Sequence, residues 1–147
     1  MRFTDYYEFS DSITSIIVDS DLSIIPKFLR NSSGRFVYVI GDKVAQDNGF
    51  VDRVEEALKK DQENSVVYTY IVDEKTPNKK IVELIYESYR NSGADSIIAV
   101  GDNATIDIAK LVKALLSSRT RDLDFLRGVG NAKELVPVSL GVVPTNI

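Results

Sequence analysis

Two hydrophobic rhythms alternate along the chain. Short runs of β-branched and aromatic residues predict strands at Thr14-Ser15-Ile16-Ile17-Val18, Arg35-Phe36-Val37-Tyr38-Val39-Ile40, Ser65 to Val72, Ser96 to Val100 and Val138-Ser139-Leu140-Gly141-Val142-Val143. The first is ended by Asp19-Ser20-Asp21 and the second by Gly41-Asp42. Between them the apolar positions fall at helical spacing. Leu22 to Arg30 predicts a short helix interrupted by Pro26. Phe50, Val51, Val54, Ala57 and Leu58 form one face of a second, opposite Asp52, Arg53, Glu55, Glu56, Lys59 and Lys60. Thr76-Pro77 predicts a helix start, since Thr caps free amides and Pro lacks one, and Val82, Ile85, Tyr86 and Tyr89 carry the stripe to a left-handed stop at Gly93. A last helix follows Gly101-Asp102-Asn103 with Ile108, Val112, Leu115 and Leu116 as its stripe, and Asp122 to Leu126 reads as a helical turn.

Strands that alternate with helices need long crossovers, which parallel neighbours require. The expected fold is therefore α/β, a parallel sheet with helices on both faces, in one domain spanning residues 1–147. In such sheets ligands sit at the carboxyl ends of the strands, where helix N-termini offer free amides. That directs attention to Gly41-Asp42, to Gly101 through Thr105, and to Pro144 onward.

Composition narrows the chemistry. Hydrophobic residues make up 44% and charged residues 27%, the balance of an ordinary globular chain. A net charge of −4 without a basic cluster excludes a nucleic-acid surface. The apolar runs are far shorter than a membrane span, and Met1-Arg2-Phe3-Thr4-Asp5 lacks the apolar stretch of a secretory signal, so a cytoplasmic location is expected. With no Cys and no His, thiolate chemistry and the usual zinc or iron ligands are missing. The aromatic segment Phe3-Thr4-Asp5-Tyr6-Tyr7-Glu8-Phe9 is expected to add as a strand to a second copy, making a homodimer.

The stretch Gly93-Ala94-Asp95, the strand Ser96 to Val100, the turn Gly101-Asp102-Asn103-Ala104 and the helix bearing Asp107 and Lys110 resemble the phosphate-binding strand, turn and helix of the iron-containing (group III) alcohol dehydrogenases. Val39-Ile40-Gly41-Asp42-Lys43, followed by Asn48-Gly49-Phe50-Val51-Asp52-Arg53-Val54, is similar to that family's first nucleotide strand and helix. Val142-Val143-Pro144-Thr145 looks like the start of its Pro-Thr-Thr signature. Glycerol dehydrogenase and dehydroquinate synthase share this architecture, and a polyol dehydrogenase or synthase-like chemistry is a lesser alternative.

The resemblance implies a Rossmann-like, dehydroquinate synthase-like N-terminal domain that binds NAD or NADP for hydride transfer between an alcohol and an aldehyde. It also implies dimerisation through that domain. The metal ligands, an Asp and three His on a helical C-terminal domain, have no counterpart here, so the chain alone is expected to be inactive. Asp42 would accept from the adenosine ribose and favour NAD, or else be a turn-forming Asp. Gly101, Asp102, Asn103 and Ala104 would line the pyrophosphate, with Thr145 nearby. Asp107 would bond a ribose or substrate, or only favour the positive end of its helix; Lys110 would reach the ligand, or be a solvated charge. Three departures bear on this. The family's Gly-Gly-Gly-Ser turn reads Gly101-Asp102-Asn103-Ala104, leaving Asp102 either to repel phosphate or to cap the helix and Thr105 to supply the lost hydroxyl. Asn146 replaces a Thr, and the sequence given stops at Ile147, inside the signature. A degenerate, non-catalytic domain with a structural or protein-binding role is the alternative.

Overall fold

A computed structural model describes residues 14–16, 35–60, 65–73, 78–117 and 139–145. Among them the chain runs β1 (Thr14–Ile16), β2 (Phe36–Asp42), α1 (Lys43–Asp47), α2 (Phe50–Lys59), β3 (Ser65–Val72), α3 (Lys79–Ser92), β4 (Ser96–Gly101), α4 (Asn103–Ser117) and β5 (Ser139–Pro144). The strands form one sheet in the order β1-β5-β4-β2-β3, and every neighbouring pair is parallel. Ile17, Val18, the helix expected at Leu22 to Arg30, the pair Thr76-Pro77, the turn at Asp122 to Leu126, Val138 and the aromatic N-terminal segment lie outside the described residues.

Alternation along the strands sorts the core into two layers. Tyr38 and Ile40 of β2, Ile97 and Ala99 of β4, and Leu140 and Val142 of β5 pack with Val82, Ile85, Tyr86 and Tyr89 of α3 and with Ile108, Val112 and Leu115 of α4. On the opposite face Val37, Val39, Ile98, Val100 and Val143 meet Ala45, Val51, Val54 and Leu58 from α1 and α2. Strand β4 is buried on both sides throughout its length, as its continuous apolar run requires. The connections after β2 and β4 leave on opposite faces. The carboxyl ends of those two adjacent strands therefore flank a crevice, the switch point at which doubly wound sheets bind ligands.

The expected element boundaries shift at several places, each for a local reason. Gly41 is not a stop: it pairs with Ile71 and Val100 inside the sheet. A Cβ there would come within 2.7 Å of Val51 Cγ2, so the glycine permits close approach of α2 rather than a turn. The α3 helix begins at Lys79, because the Asn78 side chain accepts from the Ile81 amide at 2.9 Å. Gly93 ends α3 with φ 79°. Two residues on, Asp95 accepts from the amides of Arg35 and Phe36, each at 3.0 Å, and ties the start of β2 to the start of β4. Leu116 is only partly buried, whereas Ile106, Ala109, Leu111 and Ala114 are buried with the expected stripe. An α4 wrapped on most sides is what a helix apolar nearly all round produces.

Lys113 is enclosed in that wrapping at 3% exposure, and burial lowers its pKa from 10.5 to about 8. Below about pH 8 the ammonium is charged in both folded and unfolded chains, and the burial penalty is fully present. Between about pH 8 and 10.5 the unfolded chain holds the extra proton, so stability rises with pH there, by at most roughly 3 kcal/mol. The buried Tyr38, pushed up to about 12, and Tyr89, pushed higher still, act in the opposite sense above pH 10, where the unfolded phenols ionise first. Lys113→Met should abolish the rise and leave the alkaline fall. Urea midpoints from pH 7 to 10.5 check this, and an unchanged slope in the variant would refute it.

Candidate functional site at the carboxyl edge of the sheet

The end of β2 and the end of β4 are joined by one carboxylate. Asp42, the last residue of β2, has extended backbone and is 8% exposed. Its Oδ1 accepts from the Ala45 amide at 2.7 Å, which starts α1 immediately after the strand. Its Oδ2 accepts from the Asp102 amide at 2.9 Å and from the Thr105 hydroxyl at 3.0 Å, across the crevice. Gly101 lies directly against that carboxylate: a Cβ would fall inside contact with Oδ2 and 2.9 Å from Cγ.

The turn beyond Gly101 is shaped by a second carboxylate. Asp102 Oδ1 accepts from the Thr105 amide at 3.0 Å, and its carbonyl accepts from the Ile106 amide, so Asp102 caps α4. Asp102 therefore caps the helix, and the capping carboxylate still stands beside the turn. The Thr105 hydroxyl goes to Asp42 and does not replace the family serine in facing outward. The amides of Asn103 and Ala104 meet no acceptor among the described residues. Asn103 is exposed and Ala104 half-buried, so among the described residues these two donors at the start of α4 are left for an outside acceptor. Just after β5, the Thr145 amide donates to the Gly101 carbonyl at 3.0 Å and fixes the far side of the turn.

Asp42, Gly101, Asp102, Asn103, Ala104 and Thr145 are thus brought together. Asp107 follows in the next turn of α4, buried at 3% exposure, and Lys110 is exposed beyond it. Thr105 is the residue of this cluster whose role the sequence reading did not find. Its hydroxyl is significant only because Asp42, 63 positions away, is folded against it. The short helix α1 was also missed. The signal for it was present, an Asp at the strand end with Asn48-Gly49 as punctuation.

Among the described residues no three of His, Cys, Asp and Glu gather as a metal site. With no His or Cys in the sequence, the donors do not fit the Asp and three His that the resemblance implies for iron. The anion-binding parts fit better. A parallel switch point, two open amides at the start of a fifteen-residue helix and a close-packed glycine make the setting of a dinucleotide fold.

The fold and this edge define a Rossmann-like α/β domain. The family model described as iron-containing alcohol dehydrogenase matches residues 14–147, and the chain belongs to that family. Solved structures agree in fold. The alcohol dehydrogenase of Oenococcus oeni superposes with a TM-score of 0.71 at 23% identity, covering 95% of this chain and 36% of that one. Sulfoacetaldehyde reductase of Bifidobacterium kashiwanohense, solved with NAD+, gives 0.67 at 16% identity over 94% and 35%. The iron-containing alcohol dehydrogenase of Thermococcus thioreducens gives 0.62 at 17% identity over 77% and 28%. The chain therefore spans about a third of the length of these structures. No curated protein matches it. No helix among the described residues is long and apolar enough to cross a membrane.

Proposed function

We propose that this chain is the nucleotide-binding part of an NAD(P)-linked oxidoreductase of the iron-containing alcohol dehydrogenase type. The observation that carries the reading is the pair of amides at Asn103 and Ala104 that meet no acceptor among the described residues, placed at the switch point of a family-matched sheet. In this reading those amides receive the pyrophosphate, and the α4 N-terminus favours its charge. Gly101 and Thr145 hold the turn that presents them. The nicotinamide supplies the hydride acceptor or donor for an alcohol or aldehyde. Asp107 and Lys110 are assigned to ligand groups beyond the pyrophosphate, with NAD or NADP as the cofactor. Metal-assisted polarisation of an alcohol requires ligands that these 147 residues do not contain, so the chain alone is proposed to be inactive in alcohol oxidation.

A second reading has its own observation. Asp102 stands where the family has glycine, and its side chain keeps a carboxylate beside the turn. That favours a domain that has lost its cofactor and serves structure or protein contacts. Titration calorimetry with NAD and NADP separates the two. The nucleotide reading expects saturable NAD binding, weaker than micromolar because of Asp102. No binding of either nucleotide, before and after glycines are restored to the turn, would leave the second reading.

A further inference from the structure

We infer that Asp42 is the positioning residue of the phosphate-binding turn. It acts through the Asp102 amide and the Thr105 hydroxyl rather than by contact with a ribose. The inference rests on the nucleotide-binding reading above for its effect on ligands, though not for its geometry. Three donors converge on one buried carboxylate: the Ala45 amide on Oδ1, and the Asp102 amide and Thr105 hydroxyl on Oδ2. The last two come from the turn and the first turn of α4, the same backbone that carries the open amides of Asn103 and Ala104.

The geometry also gives Gly101 a reason other than ligand approach. Its missing Cβ is the space that the Asp42 carboxylate fills. Hydrogen bonds to an ionised acceptor in a buried site are the strong kind. Withdrawing the acceptor frees the Asp102 amide and the Thr105 hydroxyl together, and the turn loses its tie to β2. The two open amides then no longer share a fixed direction, and that direction is what an anion site of few donors depends on. A ribose-binding Asp42 and a turn-positioning Asp42 make opposite predictions for cofactor choice. Removing a carboxylate that faces the 2′ position should relieve repulsion of the 2′-phosphate and shift preference toward NADP. Removing one that holds the turn should weaken both cofactors alike, because both share the pyrophosphate.

The test uses Asp42→Asn, which keeps the shape and the acceptor for Ala45 but presents an amino group where Oδ2 stood, with Thr105→Val and Thr105→Ser. Affinities for NAD and NADP are measured by calorimetry, and amide hydrogen exchange is followed at Ala45, Asp102 and the interior of β4. Asp42→Asn is expected to weaken NAD and NADP by the same factor, about tenfold or more. Thr105→Val should weaken both in the same direction by less, and Thr105→Ser should restore wild-type binding, which mere loss of stability would not predict. Exchange at the Asp102 amide should accelerate at least tenfold in Asp42→Asn while the interior of β4 keeps its protection. A rise in the NADP-to-NAD affinity ratio with unchanged Asp102 exchange would overturn the inference. If the wild type binds neither nucleotide, the functional reading fails by itself. The exchange at Asp102 then still decides whether Asp42 holds the turn: acceleration supports it and no change refutes it.

Discussion

Replacing Asp102→Gly, Asn103→Gly and Ala104→Ser together is expected to raise NAD affinity by about ten to a thousandfold. The charge accounts for most of the range. A carboxylate about 4 Å from a phosphate costs roughly 1 kcal/mol in water and about 4 kcal/mol at an effective dielectric near 20. The crevice edge lies between those limits, since Asp102 is half-buried. Glycines at the two middle positions also let the backbone approach the phosphates, and a serine adds a hydroxyl. The same replacement carries a cost, because the Asp102 side chain holds the Thr105 amide at 3.0 Å. Loss of that cap to glycine should lower stability by about a few tenths of a kcal/mol. Calorimetry with NAD, paired with urea unfolding of the same proteins, reads both effects. A gain in affinity without loss of stability would mean that the cap contributes nothing. Loss of stability without any gain would mean that the Asp102 carboxylate does not oppose the ligand.

Gly101→Ala should be strongly destabilising, lowering stability by roughly 2–5 kcal/mol. Its φ is not in the left-handed region, so the cost is one of space alone. The new Cβ would displace the Asp42 carboxylate from the Asp102 amide and the Thr105 hydroxyl, breaking two hydrogen bonds to a charged acceptor and crowding Thr105 Cβ at 3.0 Å. In an Asp42→Ala background the same methyl has room, and there it should cost under about 1 kcal/mol. Two residues in one network couple in this way rather than adding. Urea midpoints of the wild type, both single variants and the double variant complete the cycle. Additive losses would show that Gly101 answers to Thr105 or to the backbone and not to Asp42.

Much of the fold was legible because its signals are local. The apolar run Ser96 to Val100 could only be a strand covered on both faces, and Val82, Ile85, Tyr86 and Tyr89 could share a face only on a helix. Gly93 announced its left-handed stop for the same reason. Such features depend on residues a few positions apart, whose geometry is fixed by the backbone period. The order of elements and the resemblance of the turn to a phosphate-binding family followed from them.

What only the tertiary structure decided involves residues far apart in the chain. Gly41 resembled a turn glycine but sits inside the sheet, since the pressure on its Cβ position comes from Val51 on a helix that folds back over it. Asp42 could be read as a ribose acceptor or a turn former, yet its Oδ2 partners lie 60 and 63 positions downstream. Thr105 gave no sign of its bond to that carboxylate, and Lys113 gave none of its burial within α4. A hydrogen bond or a steric limit between two strand ends exists only once the sheet order β5-β4-β2 is set. That order is chosen by the burial of both faces at once, a sum over the whole core that no short stretch of sequence contains.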